Sequence, residues 1–169
     1  MRLQVDGAAT VADGVALWPV YDAVFGDHAS YESWRDAVWD RHRARTGFRL
    51  ARAHTAGGTL VGFAYGYTGE RGQWWTDHAR EALPPEVADD WLGGHFELVS
   101  IGVLAGERGR GIGRRLLRVL FDGTGHDRLV LMATGDGADP ARRLYATEGW
   151  RILGPGVAEE TVILGKRRA

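Results

Sequence analysis

The sequence predicts one α/β domain over residues 1–169, built around a central sheet, and three observations support this prediction. First, 44% of the 169 residues are hydrophobic and 25% are charged, which is typical of an ordinary globular domain. Second, segments with strand and helix patterns alternate along the chain. Third, no internal repeat or low-complexity linker marks a second domain.

The N-terminal half predicts a strand, two helices and a hairpin. Apolar residues after Thr10 recur at helical spacing, at Val11, Val15, Trp18, Tyr21 and Phe25. Pro19 is expected to kink this first helix, and Ser30 is placed to cap the second. The predicted segments are a strand at Arg2–Val5, helices at Thr10–Phe25 and from Ser30 to about Thr46, and paired strands at Phe48–Thr55 and Thr59–Thr68.

The C-terminal half alternates strands and helices around glycine-rich turns. Pro84 and Pro85 divide an aromatic and acidic segment, Gly69–Gly94, into two partly helical pieces. The other predicted segments are a strand at His95–Val103, a helix from near Gly111, a strand at Arg128–Thr134, a helix at Pro140–Glu148 and a strand at Thr161–Leu164.

Charge and residue usage exclude several classes of protein. The 21 basic and 22 acidic residues leave a formal charge of -1, which argues against nucleic acid as the main partner. The absence of cysteine excludes disulfides, thiolate metal sites and cysteine nucleophiles. No basic-then-apolar leader opens the chain, and no apolar run approaches the roughly 20 residues that cross a membrane. We therefore expect a cytoplasmic protein with no nucleic acid, membrane or metal partner.

A glycine and arginine turn joins the predicted strand at His95–Val103 to the next helix. Three alternating glycines, at positions 109, 111 and 113, would let backbone amides point into one small space at a helix N-terminus, which favours an anion. Arg114 and Arg115 stand in the first helical turn, where the helix dipole disfavours each cation by about 0.3–1 kcal/mol, and an anionic ligand would explain them. The alternative is a glycine-rich turn with a solvated arginine face.

Two other phosphate-binding motifs do not fit this turn. A Walker loop needs Lys after its last glycine, whereas Ile112 follows Gly111. A dinucleotide fingerprint needs a third small residue where Arg114 stands.

The turn and a second motif resemble the GNAT superfamily of N-acetyltransferases. Arg-x-x-Gly-x-Gly, beginning at Arg108, is similar to the family's coenzyme A-binding core. The run from Ala141 to Trp150, which carries Leu144-Tyr145 and Gly149, resembles its second signature. Thr59–Ala64 resembles the family's third strand, so the resemblance extends from about residue 48. It implies a mixed, mostly antiparallel central sheet flanked by helices, with acetyl-CoA as co-substrate.

The resemblance also implies where acetyl-CoA would bind. Backbone amides of the turn would hold the pyrophosphate, and the backbone of Ile101 and Val103 would pair with the pantetheine arm. Many members have Asn where this chain has Ala138, and Asp136 or Asp139 is a candidate substitute. The implied turn residues are Arg108, Gly109, Arg110, Gly111, Ile112, Gly113 and Arg114.

Glu97 and Tyr145 are the candidates for proton transfer when an amine attacks the thioester directly. Glu97 shares one face of its strand with His95 and three apolar residues, and such a setting raises a carboxyl pKa and suits a general base, directly or through water. The alternative is a structural ion pair. The resemblance implies that Tyr145, with a phenol pKa of about 10, protonates the departing thiolate. The alternative is a core aromatic residue.

The acidic segment Gly69–Gly94 is expected to bind the acceptor. Its six carboxylates and three tryptophans suit a cationic amine, through charge attraction and cation–π contact. The alternative is that the tryptophans pack on the sheet or on a dimer partner. The candidate contact residues are Trp74, Trp75, Asp77 and Glu81.

These patterns predict an acetyl-CoA-dependent N-acetyltransferase that acts on a primary amine of a small, cationic acceptor, with a homodimer compatible with the sequence. Three alternatives stay open. One is a noncatalytic acyl-CoA-binding or sensor domain of the same fold. Another is a protein N-terminal or lysine acetyltransferase. The third is an arginine-rich nucleic-acid-binding module, which the net charge weakens.

Overall fold

The computed structural model describes residues 1–168 of the chain, in which strands and helices alternate as predicted. The strands are β1 (Arg2–Asp6), β2 (Arg49–His54), β3 (Leu60–Gly69), β4 (His95–Val103), β5 (Arg128–Thr134), β6 (Arg151–Pro155) and β7 (Thr161–Arg167). The helices are α1 (Val11–Phe25), α2 (Tyr31–Trp34), α3 (Asp40–Arg43), α4 (Trp74–Ala82), α5 (Pro85–Trp91), α6 (Ile112–Phe121) and α7 (Pro140–Thr147).

Hydrogen bonds join the strands in the order β1-β2-β3-β4-β5-β7-β6. The pairs β1–β2, β2–β3, β5–β7 and β6–β7 are antiparallel, and β4 pairs with β5 in parallel. This confirms the predicted α/β class with a mixed, mostly antiparallel sheet.

The chain forms two compact units. Unit 1 comprises Met1–Tyr67 and Ser100–Thr124, and unit 2 comprises Thr68–Val99 and the residues from Gly125 onward. Strands β3 and β4 each contribute residues to both units.

An arginine and an aromatic cluster stabilise unit 1. The Arg52 guanidinium on β2 donates to Asp6 on β1 and to Asp13 in the first turn of α1, so one side chain links three elements. Asp13 also closes a capping box with Thr10. Beneath α1, the ring of Tyr21 lies 4.8 Å from that of Trp34.

Helix α1 buries only part of the apolar stripe that marked it in the sequence. Val11 is 56% exposed and Val15 is 55% exposed, whereas Tyr21 of the same stripe is buried. The other buried residues, Gly14, Leu17 and Val20, lie outside the stripe. The helix is apolar around most of its circumference, so the sequence pattern indicated a helix without indicating which face is buried. Helical structure continues through Pro19 to Phe25.

The predicted second helix is divided into three parts. Ser30 caps α2 as predicted, and its hydroxyl accepts from the Ser33 amide at 3.2 Å. After Trp34 the backbone winds as a π-helix, Arg35–Trp39, before α3 ends at Arg43 rather than near position 46. The five-residue spacing stacks the Trp34 and Trp39 rings with centroids 5.3 Å apart, and both are fully buried. We attribute the π-helical turn to the packing of these two indoles.

Unit 2 packs α4 and α5 against β5 and β7. Ala79, Leu83 and Ala88 are buried in one cluster with Trp91, Val130 and Ile163. The indole of Trp91 also contacts the guanidinium groups of Arg151 at 5.1 Å and Arg167 at 4.7 Å. The Lys166 ammonium on β7 donates to the Glu148 carbonyl after α7, at 2.6 Å.

Strand β6 was not predicted. It forms an edge strand that pairs only with β7, with an irregular register between Ile152 and Gly154. Gly154 and Pro155 are poor strand formers, and Arg151 and Ile152 are both exposed, so alternating hydrophobicity is missing. Strand β7 also extends beyond the predicted Leu164 to Arg167.

The start of β4 is held by a fully buried histidine. The Nδ1 atom of His95 accepts from the Gly93 amide at 3.1 Å, and the ring lies against Gly69 at the end of β3. Burial, assisted by Arg128, lowers the pKa of His95 to about 3, so the ring is neutral near neutral pH. The close approach requires a residue without a Cβ at position 69.

Replacing Gly69 with Ala is expected to destabilise the protein by about 1–3 kcal/mol, because the new Cβ would overlap the Cε1 and Nε2 atoms of the enclosed His95 ring. Urea unfolding would measure the effect. Gly125→Ala is the matched control, because its Cβ would meet nothing within 4 Å. The double variant Gly69→Ala with His95→Ala should cost less than the sum of the two single variants. An additive result would contradict this account.

Candidate active site

The glycine turn that follows β4 opens the helix α6. A short 3-10 turn, Ala105–Glu107, leads into Gly109 and Gly111, whose φ angles are 77° and 72°. This left-handed conformation favours glycine, and a Cβ at either position would meet nothing within 4 Å. The Arg108 Nε donates to the Val103 carbonyl at 3.1 Å, and Arg110 pairs with Glu107 at 2.9 Å. These two side chains therefore fasten the turn.

Helix α6 begins without a side-chain cap. Gly111 is its N-cap residue, and the first turn contains no acidic residue. The first main-chain bond of the helix runs from the Arg115 amide to the Gly111 carbonyl, at 3.1 Å. The amides of Ile112 and Gly113 precede this bond, where a helix leaves its donors without intrahelical acceptors. Together with the helix dipole, they make this turn suited to an anion.

Ile101 and Val103 lie on the part of β4 that extends past its ladder with β5. That ladder has three pairs, from Phe96 with Leu129 to Leu98 with Leu131, and β4 continues five residues further. The adjoining Leu104 amide donates to the Val61 carbonyl at 3.0 Å, on the β3 side. The backbone of Ile101 and Val103 thus lies outside the β5 ladder.

Glu97 is buried within the β4–β5 ladder, opposite Val130, and is 5% exposed. His95, on the same face by strand periodicity, is completely enclosed, whereas Val99 and Ile101 are half-buried. Glu97 is therefore a buried carboxylate, and its catalytic role stays a prediction.

Tyr145 is buried on α7. The Asp139 carboxylate caps that helix by accepting from the amides of Ala141 at 2.8 Å and Arg142 at 3.2 Å. The Tyr145 ring packs beside Trp150, with centroids 6.0 Å apart. Burial, with a smaller effect from the nearby Asp139 charge, raises the pKa of Tyr145 to about 12. Its phenol is therefore protonated throughout the neutral range.

The two aspartates considered as substitutes for a cofactor-binding Asn have local structural roles. Asp139 is the N-cap of α7, and Asp136 Oδ1 accepts from the Ala138 amide at 2.8 Å. These contacts shape the loop between β5 and α7.

Helix α4 carries the four predicted acceptor residues, and their environments differ. Trp74 is 65% exposed and stacks on His78, with ring centroids 4.2 Å apart. Trp75 is half-buried, with its ring 6.4 Å from that of His95. Asp77 accepts from the Gly72 amide at 3.0 Å, just before the helix, and Glu81 is exposed. His78 was not predicted, although its four-residue spacing from Trp74 could have indicated it.

Two further carboxylates of the acidic segment form ion pairs. Asp89 pairs with Arg80 at 2.6 Å, and Asp90 pairs with Arg167 at 2.7 Å. Trp91 belongs to the core of unit 2. The alternative of tryptophans that pack on the sheet therefore holds for Trp91 and not for the exposed Trp74.

The predicted residues fall into two groups. The glycine turn, Ile101 and Val103 lie in unit 1, whereas Glu97, Tyr145 and the α4 residues lie in unit 2. Across residues 1–168, no cluster of three or more His, Asp or Glu side chains is suited to hold a metal ion. None of the helices described in that range is long and apolar enough to cross a membrane.

Comparisons with known proteins identify the family of this chain. The family model of the acetyltransferase (GNAT) family matches residues 15–150. A GCN5-like protein acetyltransferase from Mycobacterium tuberculosis is 30% identical over 105 residues, which are 58% of this chain and 51% of that protein. The chain thus spans about half the length of this relative.

Solved structures share the fold. A GCN5-related N-acetyltransferase from Kribbella flavida aligns with a TM-score of 0.68 and 20% identity over 98% of both chains. A phosphinothricin acetyltransferase from Sinorhizobium meliloti, in complex with AcCoA, aligns with a TM-score of 0.62 and 19% identity over 99% of this chain and 89% of that chain. Because the family model spans most of the sequence, including the glycine turn and the Leu144-Tyr145 motif, the chain belongs to the acetyltransferase (GNAT) family.

Proposed function

We propose that this enzyme transfers the acetyl group of acetyl-CoA directly to a primary amine of a small, cationic acceptor. The observation that carries the proposal is the N-terminus of α6, which has no side-chain cap, begins at an open glycine and has no acidic residue in its first turn. The family supplies the co-substrate, because GNAT acetyltransferases use acetyl-CoA.

The glycine turn fits the pyrophosphate of acetyl-CoA. The segment from Arg108 to Arg114 would hold the phosphates through the amides that precede the first bond of α6. The Arg108 side chain adds positive charge to the turn, whereas the charge of Arg110 is offset by Glu107. The backbone of Ile101 and Val103, outside the β5 ladder, would bind the pantetheine arm. Acetyl-CoA supplies the activated acetyl thioester.

Glu97 would accept the proton that the amine loses. As the amine nitrogen forms a bond to the acetyl carbon, it must release a proton, and the carboxylate takes it directly or through a water. The observation that supports this role is the burial of Glu97 on β4, where it is 5% exposed.

Tyr145 would give a proton to the departing sulfur. The carbon–sulfur bond breaks as the amide forms, and the phenol protonates the coenzyme A thiolate. Its pKa of about 12 supports this role, because the group stays protonated throughout the neutral range. The proton on Glu97 and the proton lost by Tyr145 balance, and exchange with solvent restores both groups.

The exposed face of α4 would bind the acceptor. Trp74, His78 and Glu81 recur at spacings of four and three residues, so they share one side of the helix. An indole face beside a carboxylate suits an ammonium or guanidinium group. Asp89, Asp90 and Trp91 are engaged elsewhere, so this face is smaller than the composition of the segment suggested.

A protein acceptor is the second candidate, because the Mycobacterium tuberculosis relative is named a protein acetyltransferase. The decisive experiment is an acceptor panel with acetyl-CoA that monitors thiol release. It would contain polycationic, aromatic, neutral and acidic amines together with peptides that have a free N-terminus or a lysine. If no member of the panel causes thiol release, the noncatalytic alternative is favoured.

Gly111→Asp is expected to weaken acetyl-CoA binding about tenfold or more, because a carboxylate would repel the pyrophosphate that the α6 amides bind. Gly123→Asp is the matched control. Gly123 is also left-handed, with φ 73°, and also open, so it imposes the same backbone strain at the other end of α6. Calorimetry should show a loss of acetyl-CoA affinity for Gly111→Asp and not for Gly123→Asp. Equal affinities of the two folded variants would contradict the placement of the pyrophosphate.

Glu97→Gln is expected to lower kcat/KM for the acceptor about 100-fold or more and to remove the acidic limb that the carboxylate contributes to its pH profile. Tyr145→Phe should slow turnover by a similar factor while the affinity for acetyl-CoA stays the same. Because the pKa of Tyr145 is raised, no loss of activity from its ionisation is expected below about pH 11. Near-wild-type turnover by both variants on a confirmed acceptor would make the two residues structural.

Trp74→Ala and Glu81→Gln are expected to raise the KM of a cationic acceptor several-fold, and added salt should raise the wild-type KM in the same direction. Acetyl-CoA affinity should not change. Asp127→Asn, which neutralises an exposed carboxylate outside α4, is the control. Preference for neutral or acidic amines, or wild-type behaviour of both α4 variants, would show that this face does not select the acceptor.

A further inference from the structure

A cleft between α5 and β6 has no role in the proposed reaction. Its volume is about 350 Å³, which is within the range of small-molecule sites. We call it the α5–β6 cleft, and both of its walls belong to unit 2. It is lined by Glu86, Val87, Asp90 and Trp91 of α5 and by the Arg, Ile and Leu side chains at positions 151–153 of β6. Charged and apolar groups therefore face the same small space.

The walls of the cleft are held by close packing. Leu153 and Trp91 both lie over Gly165 of β7, where a Cβ would be 2.7 Å from each side chain. The next residue of β6, Gly154, approaches the Leu83 side chain equally closely, just before α5 begins. The cleft is thus formed by contacts of the fold itself, as in sites that are largely built before a ligand binds.

Arg151 brings a positioned positive charge to the cleft. Its guanidinium lies over the Trp91 ring, 5.1 Å from the ring centroid, and within residues 1–168 it forms no ion pair. Arg167 also contacts this ring, but it pairs with Asp90 at 2.7 Å. A guanidinium that already rests on an aromatic ring loses little freedom when it binds a ligand, and its planar fork matches a carboxylate.

Glu86 brings the opposite charge. It is exposed in the first turn of α5, and no basic side chain in the described part of the chain pairs with it. Asp90 stands four residues later on the same side of the helix, but Arg167 offsets its charge. The cleft therefore has one carboxylate, Glu86, and one guanidinium, Arg151, that lack partners of opposite charge within residues 1–168.

We propose that the α5–β6 cleft binds a free α-amino acid with an aliphatic side chain. Arg151 would bind the carboxylate of the ligand, and Glu86 would bind its ammonium group. The aliphatic side chain would lie against Val87 and Ile152. Ile152 is 58% exposed, so covering it removes apolar surface from water and favours binding.

Other ligands match the cleft less well. A phosphate group carries close to two negative charges and would meet the carboxylates of Glu86 and Asp90. An extended peptide would have to pair with the free edge of β6. That strand has an irregular register between Ile152 and Gly154 and ends at Pro155, and both features hinder the addition of a strand. A small zwitterion needs only the two unpaired charges and the apolar wall.

Calorimetry without acetyl-CoA tests the proposal. L-leucine is the probe, because it has both charges and a branched aliphatic side chain. Isocaproate lacks the ammonium group of leucine, and isoamylamine lacks its carboxylate. The wild-type protein should bind L-leucine about tenfold or more tightly than either analogue, because each analogue leaves one charged side chain of the cleft without a partner.

Two variants connect each charge of the ligand to one residue. Glu86→Gln should weaken L-leucine binding about tenfold or more and remove the preference for L-leucine over isocaproate, while the preference over isoamylamine remains. Arg151→Gln should remove the preference over isoamylamine and keep the preference over isocaproate. Glu159→Gln and Arg143→Gln are the matched controls, because both residues are exposed in unit 2 and lie outside the cleft. Circular dichroism would verify that all four variants are folded.

Three results would overturn the proposal. The first is no binding of L-leucine at concentrations up to about 10 mM. The second is equal affinity of the wild-type protein for L-leucine and either analogue, since one charge would then not be recognised. The third is L-leucine binding that both cleft variants retain, and its loss in Trp74→Ala would assign that binding to the exposed face of α4. The outcome does not depend on the proposed function, because the measurement contains no acetyl-CoA and the cleft variants leave Glu97 and Tyr145 unchanged.

Discussion

The packing of α6 against β3 is the constraint on which the placement of the glycine turn depends. Helix α6 begins at a left-handed glycine, without a carboxylate or hydroxyl to accept from its first amides, and such donors suit an anion. The position of those amides is set by packing behind them. Leu116 lies over Gly62 of β3, where a Cβ would come within 3.3 Å of the leucine. The apolar face of α6 thus fixes the orientation of its polar end.

In unit 2, the residues that hold the start of each element differ from the candidate catalytic residues. His95 and Gly69 hold the beginning of β4, and Asp139 holds the beginning of α7, while Glu97 and Tyr145 stand further along the same two elements. The His95 ring and Gly69 are uncharged at neutral pH, and Asp139 accepts from amides of the helix that it caps. Glu97 and Tyr145 thus lie in buried surroundings on elements whose starts are held by other residues.

The sequence predicted the structural features that depend on local residue patterns. A β-like run and an apolar run located β4 and β5 with their observed bounds, and the glycine spacing located the turn before α6. It could not orient α1, because that helix is apolar around most of its circumference. Strand β6 was missed because an edge strand with exposed residues, Gly154 and Pro155 has no alternating pattern.

The sequence also could not predict which charged side chains form ion pairs with each other. The acidic segment suggested six carboxylates at an acceptor site, yet Asp90 pairs with Arg167, which is 77 residues away in the chain. Similarly, the sequence shows several arginines in the glycine turn, but it does not show that Arg110 forms an ion pair with Glu107. Such pairs are decided by the fold, and residue type alone does not identify them.

Lys166, the only lysine of the chain, has a consequence for the proposed transfer of acetyl groups to amines. Its ammonium donates to the Glu148 carbonyl, and an amine attacks a thioester only after it gives up a proton and exposes its lone pair. In the proposed reaction this protein would offer a single side-chain amine to acetyl-CoA, and that amine is engaged. Acetyl-lysine formed in a reaction mixture would then come almost entirely from other molecules, so self-modification would add little background when a protein acceptor is sought.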